Sequence, residues 1–302
     1  MCSKDLQKEI LMLKEKKNAI ILAHSYQRVE IQEIADFIGD SLELSMIAMK
    51  TDADVIVFCG VDFMAETAAI LNPDKTVLIP VEAKCPMASQ LSAEMVISAK
   101  ENGLPFVAYV NTHADVKAEA DICCTSANVA KVVEYLDPDE VLLGPDKNLA
   151  WFAEWKTRKR VIPVPKNGHC YVHVQFKKED VLKIREIYPN LPIIVHPECN
   201  PEVQLLADYV GSTSQMVRFV KSTNKEVVIG TEIGLIERLR KENYIVTPLR
   251  CVVCNEMKIN SLRAVLKALK DENKVVEVPR DVARKARKSI RRMIELSSQG
   301  EV

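Results

Sequence analysis

Aromatic residues are scarce in this 302-residue chain, at 5% of the total, which speaks against a surface that stacks nucleic-acid bases. An excess of either charge is missing too. The 41 basic and 42 acidic residues leave a net charge of −1, so no global field draws the chain to nucleic acid or to anionic lipid. No secretory pattern and no long apolar span is found, and a cytoplasmic protein without a membrane partner is expected. No Gly/Ser-rich or Pro-rich linker separates parts of the chain, so its units are expected to pack closely. What is plentiful is ordinary for a soluble globular protein: 48% apolar and 27% charged residues. The length predicts two or three domains. Nine cysteines in an intracellular chain are expected as thiols, some of them ligands. The basic run "RDVARKARKSIRRMIEL" reads as the solvated face of a last helix, with Val282, Ala286, Ile290 and Met293 near helical spacing on its other face.

The informative feature is a long period. Apolar strand candidates in "NAIILAHSYQ", "LPFVAYVNTH" and "LPIIVHPECN" are each followed by a helical segment that ends in Ala-Asp, at Asp36, Asp121 and Asp208. A short segment with a hydroxyl follows ("FIGDS", "ICCTS", "YVGST"), carrying Ser41, Ser126 and Ser212. Then come a helix, a strand ending at Gly60, Gly144 or Gly230, another helix, a last short strand, and a loop with Cys85, Cys170 or Cys254. Four landmarks share a period of about 85 residues, the size of a small domain. Alternating helices and short continuous apolar strands predict parallel sheets covered on both faces. The expected fold is α/β: three pseudo-symmetric three-layer α/β/α domains with small parallel sheets of about four strands, around a central pseudo-threefold axis. The expected division is 1–85, 86–170 and 171–254, with a tail over 255–302 packing back on the repeats.

In open α/β units ligands sit outside the carboxyl ends of the strands. The three landmark cysteines all follow a last strand, so three thiols can meet there. They would leave one position open on a tetrahedral metal, or one open iron on a four-iron cluster. The bland alternative is three inert core cysteines placed alike by duplication. Cys251 forms a C-x-x-C with Cys254 but has no counterpart in the other copies, and is expected outside the ligand set. Cys2, Cys59, Cys123, Cys124 and Cys199 fall off the landmark, as core or surface thiols. The same strand ends offer His24, Ser25 and Tyr26, then Tyr109, Asn111 and Thr112, then His196 and Glu198. Histidine and glutamate there can move protons, and tyrosine can donate to a carboxylate or oxyanion. Each could equally be a satisfied strand-end hydrogen bond. Ser41, Ser126, and Ser212 with Thr213, open helices. They can be N-caps, or can bind phosphate or carboxylate.

The strings "ILAHSYQ", "DFIGDS", "GVDFMAE", "CPMA", "CTSAN", "GPDKNL", "NGHCYVH", "HPEC", "IGTEIG" and "CNEMK" resemble quinolinate synthase from about residue 18 to about residue 262. The resemblance implies three pseudo-symmetric α/β domains, each giving one cysteine to a [4Fe-4S] cluster with one open iron. It implies condensation of iminoaspartate with dihydroxyacetone phosphate to quinolinate, with loss of phosphate and water, for NAD biosynthesis. An iminoaspartate-producing enzyme would supply the first substrate. Carried over residue by residue, the cluster falls on Cys85, Cys170 and Cys254. The substrate pocket falls on His24, Tyr26, Ser41, Tyr109, Asn111, Ser126, His173, His196, Glu198, Ser212 and Thr213. Glu198 and Tyr26 are the expected proton carriers, with His24 and Tyr109 beside them. Three rivals remain at this point: a diphthamide-forming radical enzyme of the same architecture, a non-catalytic cluster carrier or sensor, and a zinc enzyme with three cysteine ligands.

Overall fold

A computed structural model describes residues 3–223, 225–272 and 274–298; Cys2 lies outside the described residues. Among the described residues there are twelve strands: β1 (Ala19–His24), β2 (Phe37–Gly39), β3 (Val55–Cys59), β4 (Thr76–Leu78), β5 (Phe106–Tyr109), β6 (Ile122–Cys124), β7 (Glu140–Gly144), β8 (Arg160–Pro163), β9 (Ile193–Val195), β10 (Tyr209–Val210), β11 (Val227–Gly230) and β12 (Val246–Pro248). They form three four-stranded sheets of one order, β2-β1-β3-β4, β6-β5-β7-β8 and β10-β9-β11-β12. Every pairing within the sheets is parallel. The central strands are buried along their length, as at Val55–Cys59 and Val227–Gly230, as expected when helices cover both faces. The hydroxyl segments of the sequence supply the second strand of each sheet in chain order, at its edge. The α/β architecture with three small parallel sheets is therefore as the repeat predicted.

The Ala-Asp landmark has a physical cause. Asp36, Asp121 and Asp208 each accept the backbone N–H of the first strand of their own unit, from Ile21 at 2.8 Å, Phe106 at 2.7 Å and Ile193 at 2.7 Å. Their own N–H groups return to the carbonyls of the same three residues. The pair of bonds buckles the helix end to the sheet in all three copies.

Strand register corrects one landmark. His24 lies opposite Gly39 and Tyr109 opposite Cys124. Val195 lies opposite Val210, which sets His196 opposite Gly211. His24, Tyr109 and His196 are thus equivalent, and two residues beyond their partners stand Ser41, Ser126 and Thr213. Thr213, rather than Ser212, is the third member of that set.

The sheets share cores. One cluster joins Leu22, Ile56 and Phe58 of the first sheet with Ile194, Val227 and Ile229 of the third. Another holds the second sheet with Ala286, Ile290 and Met293 of the helix Arg280–Ser298. Val282 packs against that core from a partly buried position. The last helix lies on Ala114–Glu119 and on β6, and the helix Leu262–Asp271 lies on Ser3–Lys16. Between them, Val275 bridges antiparallel to Leu78, and Val276 donates to the carbonyl of Val77 at 2.8 Å. That segment covers the edge of β4, which would otherwise offer unpaired backbone groups. Among the described residues no helix is long and apolar enough to cross a membrane.

Candidate active site

Loops at the carboxyl ends of the strands line one cavity of about 750 Å³, counted to its open mouth. The first, second and third units each bring strand-end groups: His24 and Tyr26, Tyr109 and Asn111, His196 and Glu198. Ser41, Ser126 and Thr213 line it from the helix starts, and His173 from the loop after Cys170. Cys85, Cys170 and Cys254 line it as well. Of the residues expected in the pocket, Ser212 alone does not line it. Its buried hydroxyl accepts the N–H of Gln215 at 3.3 Å as the N-cap of Thr213–Ser222 and donates to Asp40 at 3.2 Å. Ser25 and Thr112 also stay off the lining, and the Thr112 hydroxyl closes on the carbonyl of Tyr109 at 2.9 Å.

The capping expectation holds for only one of the three hydroxyl sites. Asp40 caps the helix Ser41–Lys50, accepting from Leu42 and Glu43 in a capping box. Asn128 precedes the helix Val129–Tyr135. Ser41 and Ser126 are therefore released from capping and face the cavity.

Glu198 is the centre of the polar network. Its carboxylate accepts from the Tyr109 hydroxyl at 2.6 Å and lies 2.7 Å from His173 Nδ1. His173 Nε2 is 2.9 Å from the Thr231 hydroxyl, which is 2.7 Å from the Tyr26 hydroxyl. One consistent donor order runs from Tyr26 to Thr231 to His173 to Glu198, with Tyr109 donating from the other side. Thr213 adds a hydroxyl that donates to Tyr26 at 3.3 Å. The His173 and His196 rings stack, with centroids 4.4 Å apart.

Burial decides the charge states. It pushes His24 down to about 4 and His196 down to about 3, so both imidazoles are neutral at neutral pH. It pushes the Tyr26 and Tyr109 hydroxyls well up, helped by the Glu198 charge, so both remain donors. Burial also disfavours a charged Glu198, but His196, His173 and the Tyr109 hydroxyl outweigh it and hold this carboxyl below the usual range. In that network Glu198 is therefore the anionic acceptor that faces the Tyr109 and His173 donors, and the carboxyls of Asp40 and Glu256 line the same cavity.

The three cavity cysteines are free thiols. Burial pushes Cys85 and Cys254 up to about 12 and raises Cys170 too, so a bound cation is what would make them thiolates. Among the described residues, the set of ligand-type atoms lying within 4.8 Å of one another is Cys170, His173 and Glu198, not the three cysteines. Thiolates sharing one tetrahedral zinc at ~2.3 Å stand only about 3.8 Å apart. The thiols converge on one cavity, yet at least one pair of them stands more than 4.8 Å apart, wider than a single zinc requires. Cys251 is exposed and off the lining, and Cys59, Cys123, Cys124 and Cys199 are buried in the cores.

Sequence reasoning passed over Thr231 and Asp40. Thr231 follows the landmark Gly230, and Asp40 precedes the landmark Ser41, so position was the available signal. Asp40 is buried at the cavity wall and takes hydrogen bonds from Ser212 and Ser214 of the third unit.

The sequence has relatives among known proteins. The family model described as quinolinate synthetase A protein matches residues 8–295. A quinolinate synthase of Methanothermobacter thermautotrophicus is 52% identical over 299 residues, covering 97% of this chain and 98% of the relative. One of Pyrococcus abyssi is also 52% identical over 299 residues, covering 97% and 100%. One of Methanocaldococcus jannaschii is 48% identical over 306 residues, again covering 97% and 100%.

Proposed function

The chain belongs to the quinolinate synthetase A family and is an enzyme of that kind, and on that premise we propose that it condenses iminoaspartate with dihydroxyacetone phosphate to quinolinate, losing phosphate and water, in de novo NAD biosynthesis. An iminoaspartate-producing enzyme supplies the first substrate. In this reading Cys85, Cys170 and Cys254 hold a [4Fe-4S] cluster, and each repeat ends on its ligand, near residues 85, 170 and 254. The meeting of the three thiols in one cavity, more widely spaced than one zinc needs, carries the reading. When bound, such a cluster supplies an open iron that acts as a Lewis acid toward oxygen ligands.

The chain's own groups do the rest. Ser41, Ser126 and Thr213, with Asn111, hold the carboxylates and phosphate of the substrates. His24 and His196, kept neutral by burial, orient those anions by hydrogen bonds without adding charge. Glu198 accepts a proton, because it is the anionic member of the network. Tyr26, kept protonated, donates one, and Thr231 and His173 link it to Glu198. Tyr109 donates to Glu198 and fixes its orientation. Anaerobic purification tests the proposal: about four irons and four sulfides per chain are expected, with quinolinate formed from the two substrates. Zinc in place of iron, or cleavage of S-adenosylmethionine without quinolinate formation, would overturn it.

A further inference from the structure

Each of the three sheets repeats one contact behind its cysteine loop. Asp62, Asp146 and Glu232 stand two residues after Gly60, Gly144 and Gly230. Their carboxylates accept the backbone N–H of Cys85 at 3.3 Å, Cys170 at 3.0 Å and Cys254 at 3.3 Å. The same three groups tie down helix starts. Asp62 Oδ1 accepts from Phe63 at 2.8 Å. Asp146 Oδ1 accepts from Asn148 and Leu149, both at 2.8 Å. Glu232 Oε2 accepts from Gly234 at 2.6 Å. Three unrelated capping events would not each reach a cysteine 22 to 24 residues further on.

We propose that Asp62, Asp146 and Glu232 are positioning residues that clamp the three ligand loops, each fixing its cysteine to the helix that follows the third strand of its sheet. The proposal rests on the cluster reading above. Two consequences follow for the bound centre. A loop pinned at its backbone presents the sulfur in one direction, as supporting groups around a metal do. The cysteine N–H, spent on a carboxylate, is also withheld from sulfur. Hydrogen bonds to cluster sulfurs are among the levers on reduction potential. A centre meant for Lewis-acid chemistry gains from resisting reduction, and the clamp works in that direction.

The partners of each clamp differ, which makes the three separable. Asp62 also meets His113 Nε2 at 3.3 Å and is the least buried of the three. Glu232 pairs with the Lys258 ammonium at 3.0 Å, and that ammonium also donates to the carbonyl of Tyr26 at 2.6 Å. Asp146 is fully buried. Asp62→Ala removes the acceptor for the Cys85 N–H, whereas Asp62→Asn keeps one acceptor oxygen and serves as the conservative rescue.

The test uses anaerobically purified full-length holoenzyme and two readouts other than turnover: the rate of iron loss to a chelator, and the midpoint potential of the centre. Asp62→Ala, Asp146→Ala and Glu232→Ala should each release iron at least tenfold faster than wild type. Their reduction equilibrium should shift at least tenfold toward the reduced form, about 59 mV for one electron. Asp62→Asn should recover the wild-type release rate. Glu66→Gln is the control, since Glu66 accepts from Ala114 at 2.9 Å in the same neighbourhood. It should change neither readout. Wild-type release and potential in Asp62→Ala would overturn the clamp, as would an equal effect in Glu66→Gln. Should the buried variants fail to fold, the Asp62 pair decides alone. A wild-type protein without iron, or full iron in Cys85→Ala, would instead overturn the cluster reading.

Discussion

Replacing Glu198 by Gln is the sharpest perturbation of the proposed chemistry. The carboxylate has two oxygens and serves two donors, Tyr109 at 2.6 Å and His173 at 2.7 Å. An amide has one acceptor oxygen, so one donor keeps a partner and the other faces an N–H. A hydrogen bond to a charged group contributes about 1.5–3 kcal/mol, so the network misorients even though the side-chain shape is kept. The proton acceptor is lost as well, which by itself is worth ~10²–10⁴ in rate. Quinolinate formation should therefore fall by roughly 10²–10⁴ while iron content stays at the wild-type level. Affinity for a dicarboxylate should hold or rise, because a negative charge leaves the pocket. The assay is product formation, iron and sulfide content, and dicarboxylate binding on one anaerobic preparation. Near-wild-type turnover with an intact cluster would refute the role given to Glu198 and move the proton to Tyr26 or a histidine.

Further outcomes follow from the same geometry. Cys85→Ala, Cys170→Ala and Cys254→Ala should each lose the cluster, while Cys251→Ala and Cys124→Ala should keep it, as iron analysis would reveal. The opposite result for Cys251 and Cys254 would reassign the ligand. His24 stays neutral in the fold down to about 4, whereas in the unfolded chain it takes a proton near 6.5. The unfolded state thus binds more protons between those values, and stability must fall as pH drops through that window, by about 2 kcal/mol at pH 5 from this residue. Urea unfolding at pH 7 and pH 5 measures it, and His24→Gln should remove that share of the loss; an unchanged pH dependence would contradict it. Gly168→Ala should loosen the Cys170 loop, since a Cβ there would stand 1.9 Å from the carbonyl oxygen of Pro145. Full iron retention in that variant would show that the loop can yield without moving its cysteine.

How far this site could be read from sequence depends on what kind of contact each residue makes. Repeated backbone contacts leave a repeated residue: Asp36, Asp121 and Asp208 recur because each buckles a helix end to a strand. Parallel α/β topology then carries every strand end to the same edge, so cysteines about 85 residues apart were legible as neighbours. Register was harder. Ser212 and Thr213 adjoin, both carry hydroxyls, and only strand pairing tells that Thr213 is the partner of Ser41 and Ser126. Capping chemistry misled for Ser41, because Asp40 beside it is an equally good cap and wins. His173 has no counterpart in the other repeats; its nearness to Cys170 was plain in the sequence, but its place in the substrate pocket came from the family resemblance.

Thr231 carries no repeat signal of its own. Its value lies in touching Tyr26, 205 residues away, and His173, 58 residues away. The Tyr26 contact depends on how the first and third units pack, which the shared core of Leu22, Phe58, Ile194 and Ile229 determines, and the His173 contact on how the loop after Cys170 folds back over the third sheet. Pseudo-symmetric repeats place their own residues alike, but a site built between them is finished by residues that differ from copy to copy. That is why the cysteines proposed as ligands, one per repeat, were visible from the period, and why the hydroxyl that links the proposed proton donor to the proposed acceptor was not.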